Sequence, residues 1–126
     1  MLANFRDYLK TLDVASNYYL GKMVNETEQS LGVYSQQGLR RVEAIGKDSS
    51  YDIAGFVLLL HWNKNANESE TAARDLFEKI RYITDTDMGN THVDYLDLLE
   101  AEPTFLGTDG NGVYEFSIAG RIYYRR

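Results

Sequence analysis

The chain contains no cysteine, which removes a disulfide framework, a thiolate nucleophile and any cysteine-ligated zinc site from the functions to be weighed. It has two histidines, His61 and His92, at no metal-ligand spacing, and no metal or other cofactor is expected. No apolar run approaches the roughly 20 residues of a membrane-crossing helix, so no membrane partner is expected. The opening residues MLANFRDYLK lack the basic-then-apolar layout of a signal peptide, which leads to the expectation of a chain made and folded in a cytoplasm. A basic excess is missing as well: thirteen Lys and Arg stand against nineteen Asp and Glu, for a formal charge of −6. That balance argues against a dedicated nucleic-acid binder, whose affinity comes from releasing phosphate counterions. It suits a wall past which DNA slides without sticking.

What is present is an ordinary soluble composition in 126 residues, with 44% hydrophobic and 25% charged residues; a single domain spanning 1–126 is expected. Tyrosine is abundant, at ten residues. Tyrosines of this number either cover half-exposed sheet faces or serve interfaces, where an amphipathic ring contributes area at low entropic cost.

Leu2, Phe5, Leu9 and Leu12 recur at helical spacing and, with Tyr8 beside them, predict an amphipathic helix over residues 2–13. Residues 17–23 read as a short strand and 30–35 as a second. Residues 36–52 are polar and locally basic, with Arg40, Arg41 and Lys47. They read as a long loop, the first candidate for a contact arm, mobile in the free subunit and ordered on assembly. Residues 53–62 are apolar on both alternating faces: Ile53, Val57 and Leu59 on one, Ala54, Phe56, Leu58, Leu60 and Trp62 on the other. Such a strand is expected to be central and covered on both sides. Two helices can cover only one face, so the other must meet a loop, a second layer or another subunit.

Asn67, with Glu70 three residues on, predicts the N-cap of a helix over 68–84 that carries Ala73, Leu76, Phe77, Ile80 and Ile83. Residues 84–90 break it, and 92–102 fit either a strand or a helix, the position before Pro103 and the hairpin-like turn favouring a strand with a bulge near Asp97. The Gly-rich turn at 107–112 then leads into a long strand. There Tyr114, Phe116, Ile118, Ile122 and Tyr124 share one face with Gly120 in register, and Val113, Glu115, Ser117, Ala119, Arg121, Tyr123 and Arg125 share the other. The resulting expectation is an α+β fold, a mostly antiparallel sheet of about five strands with two helices on one face, in the order α-β-β-β-α-β-β.

The chemical motifs resolve as turns. Asp85, Asp87 and Asn90, and likewise Asp109 and Asn111, lack the closing bidentate Glu and the ligand spacing of a calcium loop. Gly107, Gly110 and Gly112 precede a strand, whereas a phosphate cradle needs a helix N-terminus. Ser49-Ser50 has no nucleophile-elbow setting, and His61 reads as a satisfied residue at a strand end. Catalytic, cofactor and metal residues are therefore expected to be none. The candidates for subunit contact are Arg40, Arg41 and Lys47 in the long loop, Val57 and Leu59 on the second face of the apolar strand, and Glu115, Arg121, Tyr123 and Arg125 on the odd face of the last.

Three stretches carry a family resemblance. The first is the N-terminal amphipathic helix before Tyr19-Leu20-Gly21-Lys22-Met23. The second is Tyr51-Asp52-Ile53 entering the long apolar strand, with a Glu/Ala-rich helix from Glu68 to Ile83 directly behind it. The third is Pro103-Thr104-Phe105-Leu106-Gly107, then Asp109, Asn111-Gly112, and Val113-Tyr114-Glu115-Phe116 running on to Tyr124. In order and wording these resemble the minor capsid or tail-completion proteins of long-tailed bacteriophages, and above all their tail terminators. One departure is the end of the apolar strand, His61-Trp62-Asn63-Lys64, where similar proteins often carry an arginine-containing polar stretch. The resemblance implies a non-enzymatic virion protein, or a prophage counterpart, that forms a hexameric ring of identical copies. Its partners would be the major tail tube protein and the head-tail connector, with DNA only passing through the lumen. The other readings are another neck or head-completion protein, a terminator of a phage-derived bacteriocin particle, a small enzyme using Asp85 and Asp87, and a cytosolic ligand-binding α+β domain.

Overall fold

Two long strands organise the molecule: β3 (Tyr51–His61) and β7 (Tyr114–Arg125) pair antiparallel along their whole length, from Tyr51 opposite Arg125 to His61 opposite Glu115. The structure is a computed structural model and describes residues 1–21, 28–36 and 51–125. Opposed residues in an antiparallel pair point to the same face. The pairing therefore sets Phe56, Leu58 and Leu60 beside Gly120, Ile118 and Phe116 on one side, and Val57 and Leu59 beside Ala119 and Ser117 on the other.

Around this pair lie α1 (Leu2–Thr11), β1 (Asn17–Leu20), β2 (Ser30–Ser35), α2 (Ala66–Ile80), β4 (Thr84–Met88), β5 (Thr91–Leu98) and β6 (Thr104–Thr108). The strand order is β1-β2-β3-β7-β5-β4, with β6 also paired to β7. β5 takes the C-terminal half of the β7 edge, at Gly120 to Tyr124, and β6 the N-terminal half, at Tyr114 to Ser117. The fold is α+β, as expected, with seven strands among the described residues where five were expected.

The two extra strands are short, five residues each. β4 is Thr-Asp-Thr-Asp-Met, and only Met88 is buried. Its strand character comes from pairing to β5 across the Gly89-Asn90 turn, where Gly89 at φ 62° supplies the positive φ that a two-residue hairpin demands. β6 is the other half of the hairpin that ends in β7, with a register shift between Phe105 and Gly107.

Other boundaries move for identifiable reasons. The cap of α2 is Asn65, whose side chain accepts the Glu68 N–H at 3.0 Å. The sequence holds Asn-x-x-Glu twice, two residues apart, and the earlier copy is the one used. β1 and β2 pair parallel, Asn17 opposite Ser30, where neighbouring strands were expected to be antiparallel. β1 is only four residues long, about 13 Å. The bulge lies between Val93 and Tyr95 rather than near Asp97. β3 starts at Tyr51, so the strand takes in two residues assigned to the loop. Val113, placed by alternation on the wetter face, is buried.

Both helices serve one core. Phe5 and Leu9 from α1, and Ala73, Leu76, Phe77 and Ile80 from α2, join Leu31, Val33, Phe56, Leu58, Leu60, Ile118 and Ile122 of the sheet. Phe5 meets Phe56 with ring centroids 4.8 Å apart. Gly120 gives that ring its seat: a Cβ there would stand 2.7 Å from the Phe56 ring and 2.7 Å from the Asp97 carbonyl oxygen. No helix among the described residues is long and apolar enough to cross a membrane.

Candidate functional site

Both helices pack on the even face of β3, and among the described residues none covers the odd face. Ile53, Val57 and Leu59 are half-buried and none of them joins the core cluster. Register extends this face across the sheet, to Tyr34 opposite Val57 on β2, to Ala119, Arg121 and Tyr123 on β7, and to Tyr95 and Asp97 on β5. The face carries valine, leucine, isoleucine and several tyrosines, half-buried except for Tyr95, which is 43% exposed.

Its aromatic part is ordered. Tyr95 stacks on Tyr123 with centroids 4.3 Å apart and planes 12° from parallel, and Tyr51 lies 6.2 Å from Tyr123. Burial raises the Tyr95 phenol, with the Tyr123 hydroxyl adding to it. Burial likewise raises Tyr34, helped by the Glu115 charge. The rings present apolar area edged by hydroxyls.

The charges on the face are matched within the chain. Arg121 donates from Nη2 to Asp97 Oδ2 at 2.9 Å, and Arg125 from Nε to Asp94 Oδ1 at 3.1 Å. Both pairs tie β7 to β5. His61 closes one end of the face: it is 1% exposed, with Nδ1 3.3 Å from Glu115 Oε2 and Nε2 3.5 Å from Asp109 Oδ2. Asp109 is the hinge of the turn before β7, its Oδ1 accepting the N–H groups of Asn111 at 2.8 Å and Val113 at 3.0 Å. The Val113 N–H is the main force holding the Asp109 carboxyl below its ordinary range. Burial opposes it, while the Asn111 N–H and the His61 and Lys64 charges add to it.

Of the nine residues proposed for subunit contact, Val57, Leu59, Glu115, Arg121, Tyr123 and Arg125 share this one face. Arg40, Arg41 and Lys47, and with them the contact arm expected at 36–52, fall almost wholly outside the described residues. Tyr34, Tyr51 and Tyr95 were not singled out. The abundance of tyrosine was the available signal, but only register shows which tyrosines meet.

The carboxylates and histidines form two separate groups. His92 faces Asp85 and Asp87, each at 2.7 Å, on the β4–β5 hairpin, and the bond to Asp87 leads in raising the imidazole above its ordinary value. Asp85 and Asp87 are exposed, at 83% and 79% of their side-chain area. Neither group lines the larger groove, about 800 Å³, between the end of α1 and α2, where Trp62, Val14 and Ala72 meet Asp13, Glu68 and Asp75. In comparison with family models and with curated proteins, nothing matches this chain.

Proposed function

We propose that this chain is a structural virion protein of a long-tailed bacteriophage, the tail terminator that caps the tail tube as a hexameric ring and joins it to the head connector. The observation that carries the reading is the open face of the sheet, apolar and tyrosine-rich, holding six of the expected contact residues together. A ring subunit needs contact surface beyond what its own core uses, because each copy meets its neighbours through two different patches, and this face can furnish one such surface. The net charge of −6 suits a lumen through which DNA passes. A different neck-region protein would draw on the same face.

The test is negative-stain imaging of tails assembled with and without the protein. Tails that gain a ring at the head-proximal end and join heads only when the protein is supplied support the reading. Tails that are complete without it overturn it. A second reading, a ligand-binding α+β domain, rests on the groove of about 800 Å³ beside Trp62. It predicts that the indole fluorescence responds to small cationic ligands while assembled tails do not bind the chain.

A further inference from the structure

The free edges of this sheet are unequally protected. A strand edge exposes unpaired N–H and C=O groups, and charged residues on it discourage pairing with another chain. β4 carries Asp85 and Asp87, which repel a second acidic copy. β6 carries no charge, and Phe105 and Leu106 are 55% and 53% exposed. β1, at the opposite end of the sheet, is also uncharged, with Leu20 40% exposed. Among the described residues, no strand pairs with the outer edge of either.

Register puts these two edges at the same height. Tyr18 lies opposite Leu31, Leu31 opposite Leu60, Leu60 opposite Phe116, and Phe116 opposite Phe105, one row across five strands that ends in an aromatic residue on each side. The next row runs from Tyr19 through Gly32, Leu59 and Ser117 to Thr104. Direction agrees with height. β1 runs parallel to β2, and each later step to β3, β7 and β6 is antiparallel, so β1 and β6 run in opposite senses. A neighbour placed by a rotation that keeps this height would bring its β1 antiparallel to β6, core face continuing core face.

We propose that copies of this chain join head to tail by strand addition, β1 of one copy pairing antiparallel with β6 of the next. The inference rests on the reading of the chain as self-assembling and adds an edge-to-edge contact to the one expected of the open face. Backbone hydrogen bonds supply the affinity, and the groove of about 640 Å³ beside β6, where Ala73, Pro103, Phe105 and Phe116 meet the charged Glu70 and Arg74, receives an inward side chain of the added strand. Because the contact uses two different edges it is heterologous, and it closes into a ring when the rotation between copies divides a full turn.

The absence of cysteine makes the test direct. Tyr19 and Thr104 end one row; as cross-strand partners their Cα atoms would stand about 4.5–5.5 Å apart, within reach of a disulfide. Copies carrying Tyr19→Cys are mixed with copies carrying Thr104→Cys and oxidised mildly, in concentrated solution and on assembled tails. The expected product is a mixed dimer, and a ladder of oligomers from the double variant. Phe105→Lys should weaken self-association about tenfold or more by charging the edge. Self-crosslinking of Thr104→Cys copies without mixed dimers overturns the proposal, and so does the lack of any crosslink in both settings. Tails that are capped yet give no crosslink remove strand addition alone. Crosslinks without capping remove the tail-end role and leave strand addition standing.

Discussion

Leu58 and Leu59 are consecutive, chemically identical and on opposite sides of one sheet. Leu58 is 1% exposed beneath the helices, and Leu59 is half-buried on a face that no described helix covers. The same strand therefore belongs to two environments, a core completed within the chain and a surface that the described residues leave incomplete. Apolar periodicity on the inner face accounts for folding. On the outer face it exceeds what the described residues pack against, and the proposed assembly reading rests on that difference.

The largest expected effect separates these two leucines. Leu58→Ala should lower stability by about 2–5 kcal/mol, the range for a core leucine that leaves a cavity. Leu59→Ala should cost about 1 kcal/mol, since less area is removed from a half-buried site. Denaturant titration of both variants checks this, and equal losses would mean the outer face is as fully packed as the inner. Next in size is Gly120→Ala, which forces Cβ against the Phe56 ring and the Asp97 carbonyl and should cost about 1–3 kcal/mol by overpacking. A neutral Gly120→Ala would show that the inner face yields more readily than its geometry implies. The smallest effect lies at the end of the open face. Asp109 is held below its ordinary value mainly by the Val113 N–H. Its contribution to stability is therefore present above the unfolded carboxylate value of about 3.9 and is lost as pH falls through the lower, folded value. Thermal unfolding across the acid range should show a shallower decline for Asp109→Ala than for the parent chain. Identical slopes would remove Asp109 as the hinge of the turn.

Much of the inner face could be read from the sequence because its cause is local. The spacing of Phe5 and Leu9, of Ala73, Leu76, Phe77 and Ile80, and the alternation of Phe116, Ile118 and Ile122 each follow from burying one side of an element. What escaped depended on partners distant in sequence. β4 is strand only because Thr84, Thr86 and Met88 find Tyr95, Val93 and Thr91, and its aspartates read locally as a turn. The parallel pairing of β1 and β2 has no local signature either. The candidate site divides the same way. Alternation placed Val57 and Leu59 on one face and Tyr123 on another strand's odd face, while only the β3–β7 and β5–β7 registers bring them together with Tyr95.

The open face is tested most directly by a charge at its centre. Val57 lies between Tyr34 and Ala119 on that face. Val57→Asp should leave the isolated chain folded, at a cost of about 1–3 kcal/mol for a carboxylate on a half-buried strand site, and should abolish ring formation on assembled tails in negative-stain images. A folded Val57→Asp chain that caps tails as the parent does would contradict the account.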